Sequence, residues 1–186
     1  MEQLSVRDLM VPLDEYATVS QDATLYEAVL ALEKAQEELD RDRYVYLHRA
    51  ILVYDKTHKI VGKVSQSDVL RSLEPKYQEM EIHESISRAG FSPSFLKSML
   101  EQNSILADPF IEICSKSARL IVKEFMYTPT EGEYVDGDAA LNIAIHQLVM
   151  GNHQSLLVTK GDEIVGVLRL CDVFKHVFQL IKTCEI

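Results

Sequence analysis

Val6-Arg7-Asp8-Leu9-Met10 returns as Val122-Lys123-Glu124-Phe125-Met126, a shift of 116 positions in a chain of 186 residues. The same shift carries Val19 onto Val135, Asp22 onto Asp138, Ala23 onto Ala139, Leu25 onto Leu141, Ala28 onto Ala144 and Leu32 onto Leu148. Further on the shift is 104: Ile60-Val61-Gly62 matches Ile164-Val165-Gly166, and Asp68-Val69 matches Asp172-Val173. Identities held in register over such distances mark an internal duplication. The change of shift means that the first copy carries twelve extra residues between its helix and its next strand.

Each copy reads as one unit. A short extended segment at Ala17–Val19 is followed by Ser20 and Asp22, which offer helix-capping oxygens, and then by Leu25, Ala28, Val29 and Leu32 at helical spacing. Ile51–Tyr54 and Ile60–Val64 read as strands around a polar turn, and a helix opens at Ser65–Asp68. The second copy repeats the order: Val135, Leu141–Met150, Leu156–Val158, a Lys160-Gly161-Asp162 turn, Ile164–Leu168, and a helix from Asp172 to Ile181. The unit is β-α-β-β-α. A single unit leaves its sheet half covered, so two are expected to pack together in an α/β (α+β) fold. The units run 1–74 and 120–186, with a helical insert over 75–119 that neither copy shares. Within the insert Ser92-Pro93 fits a cap followed by proline at the first helical position. Phe95, Leu96, Met99 and Leu100 mark one amphipathic face, and Phe110, Ile113 and Cys114 another. The expectation is a spacer packed on its own pair; the alternative is a docking surface for a partner.

Composition narrows the function. With 47% hydrophobic residues, a core can form without a disulfide or metal staple. Nineteen Lys and Arg stand against 29 Asp and Glu, a net charge of −10. This argues against nucleic acid or an anionic membrane as partner, although a small anion needs only a few local positive groups. Cys114, Cys171 and Cys184 form no CxxC pair and read as free thiols of a reducing cytoplasm. No secretion signal and no apolar run of about 20 residues is visible, so a cytoplasmic protein without membrane insertion is expected. The histidines form no HExxH pattern and the seven glycines no phosphate loop. No nucleophile stands in a recognisable setting with a base. The reading is of a non-enzyme with no metal site.

The paired motifs resemble the cystathionine β-synthase (CBS) domain family in its tandem form, the Bateman module. The carrying residues are Val6–Pro12, Val122–Pro129, Thr18–Leu25 and above all Gly62-Lys63-Val64-Ser65-Gln66-Ser67-Asp68. The resemblance spans nearly everything except the insert and the extra loop at 34–48. It implies two repeats packed about a pseudo-twofold, a regulatory role, and adenosyl ligands (AMP, ADP or ATP, with S-adenosylmethionine ranked after them) in two clefts. It also implies a homodimer that signals to an effector protein.

Within that resemblance Asp68 would hold the ribose hydroxyls in a charge-assisted grip, and Ser65 would reach the ribose or the α-phosphate. Both residues read equally as helix caps. In the second copy, Gly166-Val167-Leu168-Arg169-Leu170-Cys171-Asp172 keeps the aspartate, but Arg169 replaces the hydroxyl. Arg169 either reaches a phosphate or pairs with Asp172 and closes the cleft. The resemblance completes the Asp68 site with Thr128, Glu133 and Tyr134, and the Asp172 site with Val167, Pro12, Ala17 and Thr18. Arg49 and Lys63 are the expected cations of the first site, His153 and Lys175 of the second. The rival reading is a ligand-free interaction module that regulates a transporter or enzyme through the insert.

Overall fold

The computed structural model describes residues 4–74, 76–79 and 91–183. Pro75, His83, Gly90 and Cys184 lie outside the described residues. Seven strands run as β1 (Val11–Pro12), β2 (Thr18–Ser20), β3 (Ala50–Tyr54), β4 (Ile60–Ser65), β5 (Tyr134–Asp136), β6 (Ser155–Lys160) and β7 (Glu163–Arg169). The helices are α1 (Leu25–Glu37), α2 (Gln66–Ser72), α3 (Lys76–Glu79), α4 (Pro93–Asn103), α5 (Phe110–Ser117), α6 (Leu141–Met150) and α7 (Leu170–Thr183). The fold is mixed α/β, as the duplicated pattern predicts.

One sheet has the order β2-β3-β4 and the other β1-β7-β6-β5. In each, a parallel pair (β2/β3, β5/β6) adjoins an antiparallel hairpin (β3/β4, β6/β7). The apolar runs of the central strands follow from burial on both faces. Ile51 and Val53 pack with Val19, Ala28 and Val64, whereas Leu52 points the other way. Leu156 and Val158 likewise face their own helices, and Leu157 meets Leu52 in a middle cluster with Val11, Tyr16, Leu39, Tyr44 and Val167. That middle layer joins the two copies.

The copies also exchange their leading arms. Val6 N donates to Ala139 O at 3.0 Å, and its counterpart Val122 N donates to Ala23 O at 2.8 Å. β1 pairs with β7 at Val11↔Val167, mirrored by the Lys63↔Tyr127 bridge. Val6 is therefore core of the second copy and Val122 core of the first. Glycine is required at one crossing, where a Cβ on Gly166 would meet the backbone Val11 O at 2.5 Å; at the other, a Cβ on Gly62 would meet the flexible Met126 Sδ at 2.7 Å.

Two local expectations change. Thr24, not Ser20 or Asp22, caps α1, in a box with Glu27, while Ser20 Oγ accepts from Asp22 N in the preceding turn. In the insert, Ser92 caps α4 as its Ser-Pro predicts. Among the described residues of these two helices, α5 docks by burying Ile113 and Ser117, whereas α4 leaves Phe95, Leu96 and Leu100 exposed. Among the described residues no helix is long and apolar enough to cross a membrane.

Candidate functional site

Alternation along β4 puts Lys63 and Ser65 on one face, and Asp68 follows in the first turn of α2. Ser65 is the helix cap. Its Oγ accepts from Asp68 N at 3.3 Å and donates to Asp68 Oδ2 at 2.7 Å, and Ser65 N donates to the same oxygen at 2.8 Å. The same box occurs at Ser5 and Asp8, where it closes a single exposed turn. Box geometry alone is thus capping. What sets Asp68 apart is that it is part-buried and its Oδ1 accepts no hydrogen bond among the described residues.

Lys63 brings in residues of the other copy. Its backbone bonds Tyr127 in both directions at 2.9 Å, and its Nζ pairs with Glu133. Glu133, only 2% exposed, also accepts from Tyr127 OH at 2.6 Å and from Thr130 N at 3.1 Å. Burial pushes the Glu133 carboxyl up, but the bonds from Lys63, Tyr127 and Thr130 outweigh it and hold the group below the usual carboxylate range. Lys63, the expected cation of the first site, is therefore paired with Glu133.

The second copy has the same strand-to-helix turn with different side chains. Arg169 ends β7 and grips Asp172 with two parallel bonds, from Nε to Oδ2 and from Nη2 to Oδ1 at 3.0 Å. Its remaining nitrogen, Nη1, donates to Tyr46 O at 2.9 Å and meets His48 Nδ1 at 3.3 Å. Arg169 is 4% exposed and Asp172 8%. Burial works against the guanidinium charge, yet Asp172 more than compensates and keeps its pKa above the ordinary value. His48 is fully buried; desolvation first, and the Arg169 charge second, push its pKa down to about 4. The neutral ring donates from Nε2 to Glu15 O at 3.0 Å and leaves Nδ1 to accept from Arg169.

Of the residues read from sequence, Ser65 with Asp68 and Arg169 with Asp172 are brought into direct contact. Thr128 is exposed, one residue from Tyr127. Pro12 and Val167 both lie in the β1/β7 ladder, Pro12 opposite Gly166 and Val167 opposite Val11, and Ala17 is buried with its carbonyl accepting from Leu52 N at 2.9 Å. Tyr134 packs on the middle cluster. Thr18 lines a different pocket of about 680 Å³ with Leu13, Asp14, Tyr54, His58, Ile60, Ile164 and Val165. His153 lies against Gly132, its Nε2 4.0 Å from where a Cβ would stand, so it accompanies the Glu131–Glu133 turn of the first cleft rather than the second. The sequence reading missed Tyr44, Tyr46 and His48; the twelve-residue excess of the first copy was the available signal.

A family model described as the CBS domain matches residues 6–75. No curated protein matches the chain by sequence. Solved structures share the fold. Protein MJ1004 from Methanocaldococcus jannaschii is 21% identical with a TM-score of 0.58; the match covers 95% of this chain and 60% of that longer one. The CBS domain of a CBS domain-containing membrane protein from Sphaerobacter thermophilus is 20% identical, with a TM-score of 0.59 and coverage of 93% and 87%. CBSX2, solved in complex with AMP, is 17% identical, with a TM-score of 0.57 and coverage of 95% and 98%.

Proposed function

We propose that this chain, whose residues 6–75 match the CBS-domain model and whose fold is that of solved CBS-domain proteins, is a regulatory module that binds an adenine nucleotide in a cleft at Ser65 and Asp68. One observation carries the reading: Asp68 keeps a carboxylate oxygen unbonded among the described residues, at a part-buried position one helical turn from Ser65. Ribose hydroxyls would donate to that oxygen, while Ser65 keeps its capping bonds. The AMP complex of CBSX2 supports an adenosyl ligand.

The mechanism is differential affinity. Lys63, Ser65 and Asp68 come from the first copy, Tyr127 and Glu133 from the second, so a ligand held between them favours one relative orientation of the copies. A coupling of about 1–3 kcal/mol is enough to alter a partner's state. In this reading the module works as a cytoplasmic homodimer on an effector protein and performs no reaction of its own.

The test is calorimetry with AMP, ADP, ATP and S-adenosylmethionine on the wild type and on Asp68→Ala. Binding to the wild type with loss in the variant supports the reading; equal affinity in both removes Asp68 from it. A second reading, partner recruitment through the insert, is favoured by the exposed Phe95, Leu96, Leu100, Phe110 and Ile111. It predicts no stabilisation by any of these nucleotides.

A further inference from the structure

We infer that the chain fills its own second cleft, with the Arg169 side chain and Tyr16 in the space a ligand would take, and that these two residues limit the protein to one bound nucleotide. Occupancy of the first cleft rests on the function proposed above; closure of the second does not.

The internal duplication supplies the control. At a shift of 104, Ser65 corresponds to Arg169, and at a shift of 116, Gly132 corresponds to Tyr16. Strand pairing (Ala50↔Ser65, Ser155↔Arg169) makes His48 the counterpart of His153. The first cleft thus has a serine and a glycine where the second has an arginine and a tyrosine. His153 stands over Gly132, and His48 over Tyr16 with ring centroids 4.5 Å apart. Two small residues become two large ones, and both large ones are buried.

Chemistry closes what sterics leave. Both oxygens of Asp172 are bonded to Arg169 and the residue is 8% exposed, whereas Asp68 keeps its Oδ1 unbonded among the described residues. Four of the five guanidinium N–H groups have partners and Arg169 is 4% exposed, so the charge is already satisfied within the protein. The extra residues of the first copy complete the seal: Leu39 and Tyr44 sit in the middle cluster, the Tyr44 ring lies 5.3 Å from the guanidinium, and Tyr46 and His48 bond it directly. Because Tyr46, His48 and Glu15 belong to the first copy and Arg169 to the second, the plug ties the copies together on that side. A ligand in the first cleft then acts against a fixed hinge.

Two measurements on folded protein test this. Equilibrium dialysis with AMP is expected to count one nucleotide per wild-type chain and none in Asp68→Ala; one equivalent retained in Asp68→Ala would overturn the inference. The second needs no ligand and stays decisive if AMP does not bind at all. The His48 imidazole, followed by NMR, is expected to be less than a tenth protonated at pH 5.5, with the Arg169 Nε–H, bonded to Asp172, protected from exchange. An ordinary histidine would be about nine-tenths protonated there. Such protonation with rapid exchange of that N–H would show an open cleft.

Discussion

Replacing Arg169 with methionine keeps most of the buried stem and removes the charge. Asp172 is then left 8% exposed with no cation, and Tyr46 O loses its donor. Breaking one side of a buried ion pair costs about 3–5 kcal/mol, because the surviving charge stays desolvated. For a chain of this size that corresponds to a fall in Tm of about 6–20 °C. The Arg7–Asp138 pair, 2.8 Å apart but 43% and 74% exposed, is the control: Arg7→Met is expected to cost less than about 1 kcal/mol. Urea unfolding of Arg169→Met, Asp172→Leu and the double variant separates pairing from packing. The double variant is expected to be more stable than the single Arg169→Met, since it strands no charge. An Arg169→Met protein within 1 kcal/mol of wild type, or strictly additive costs, would refute the reasoning.

Three further outcomes follow from the same geometry. His48 has its pKa depressed to about 4, so between roughly pH 6.5 and 4 the unfolded chain takes up a proton that the folded chain refuses. Stability is therefore full above that window and falls by about 3 kcal/mol through it; a urea midpoint unchanged from pH 7 to 4.5 would contradict this. Gly166→Ala drives a methyl group into the backbone oxygen of Val11 and is expected to cost about 1–3 kcal/mol in urea unfolding, whereas Gly62→Ala chiefly displaces the flexible Met126 side chain and costs less. Reversal of that order would show that the two crossings are not built as described. Val6→Ala removes two methyl groups from the core of the opposite copy, and should speed amide exchange in β5 and β6 at a cost of about 2 kcal/mol; exchange unchanged there would argue against the arm crossing.

Much of the fold was legible because duplication supplied a second reading of every element. Leu141–Met150 is a helix to the residue, and Ile51–Tyr54 and Ile164–Leu168 fall inside strands. Periodicity and turn chemistry are local, and they survive folding. The cap at Thr24 was missed because Ser20 and Asp22 are equally good capping residues, and only the backbone path decides which one meets the helix start. The arm exchange was not legible at all, since a two-residue strand such as Val11–Pro12 gives no signal of which sheet it joins. At the candidate site, the repeated strand-to-helix motif singled out Asp68, Arg169 and Asp172, and the family resemblance supplied their expected roles. The motif could not find the Lys63–Glu133 pair, which joins residues 70 positions apart. Nor could it show that the extra loop folds onto Arg169, since a length difference gives a place in the sequence and no destination in space.

The account turns on the first cleft being the one that holds a nucleotide. A crystal structure grown with AMP tests this most directly. The expected map shows one adenosine per chain, its ribose hydroxyls on Asp68 and the Arg169–Asp172 pair undisturbed. Density for a nucleotide at Asp172, or an empty Asp68 cleft at saturating AMP, would contradict it.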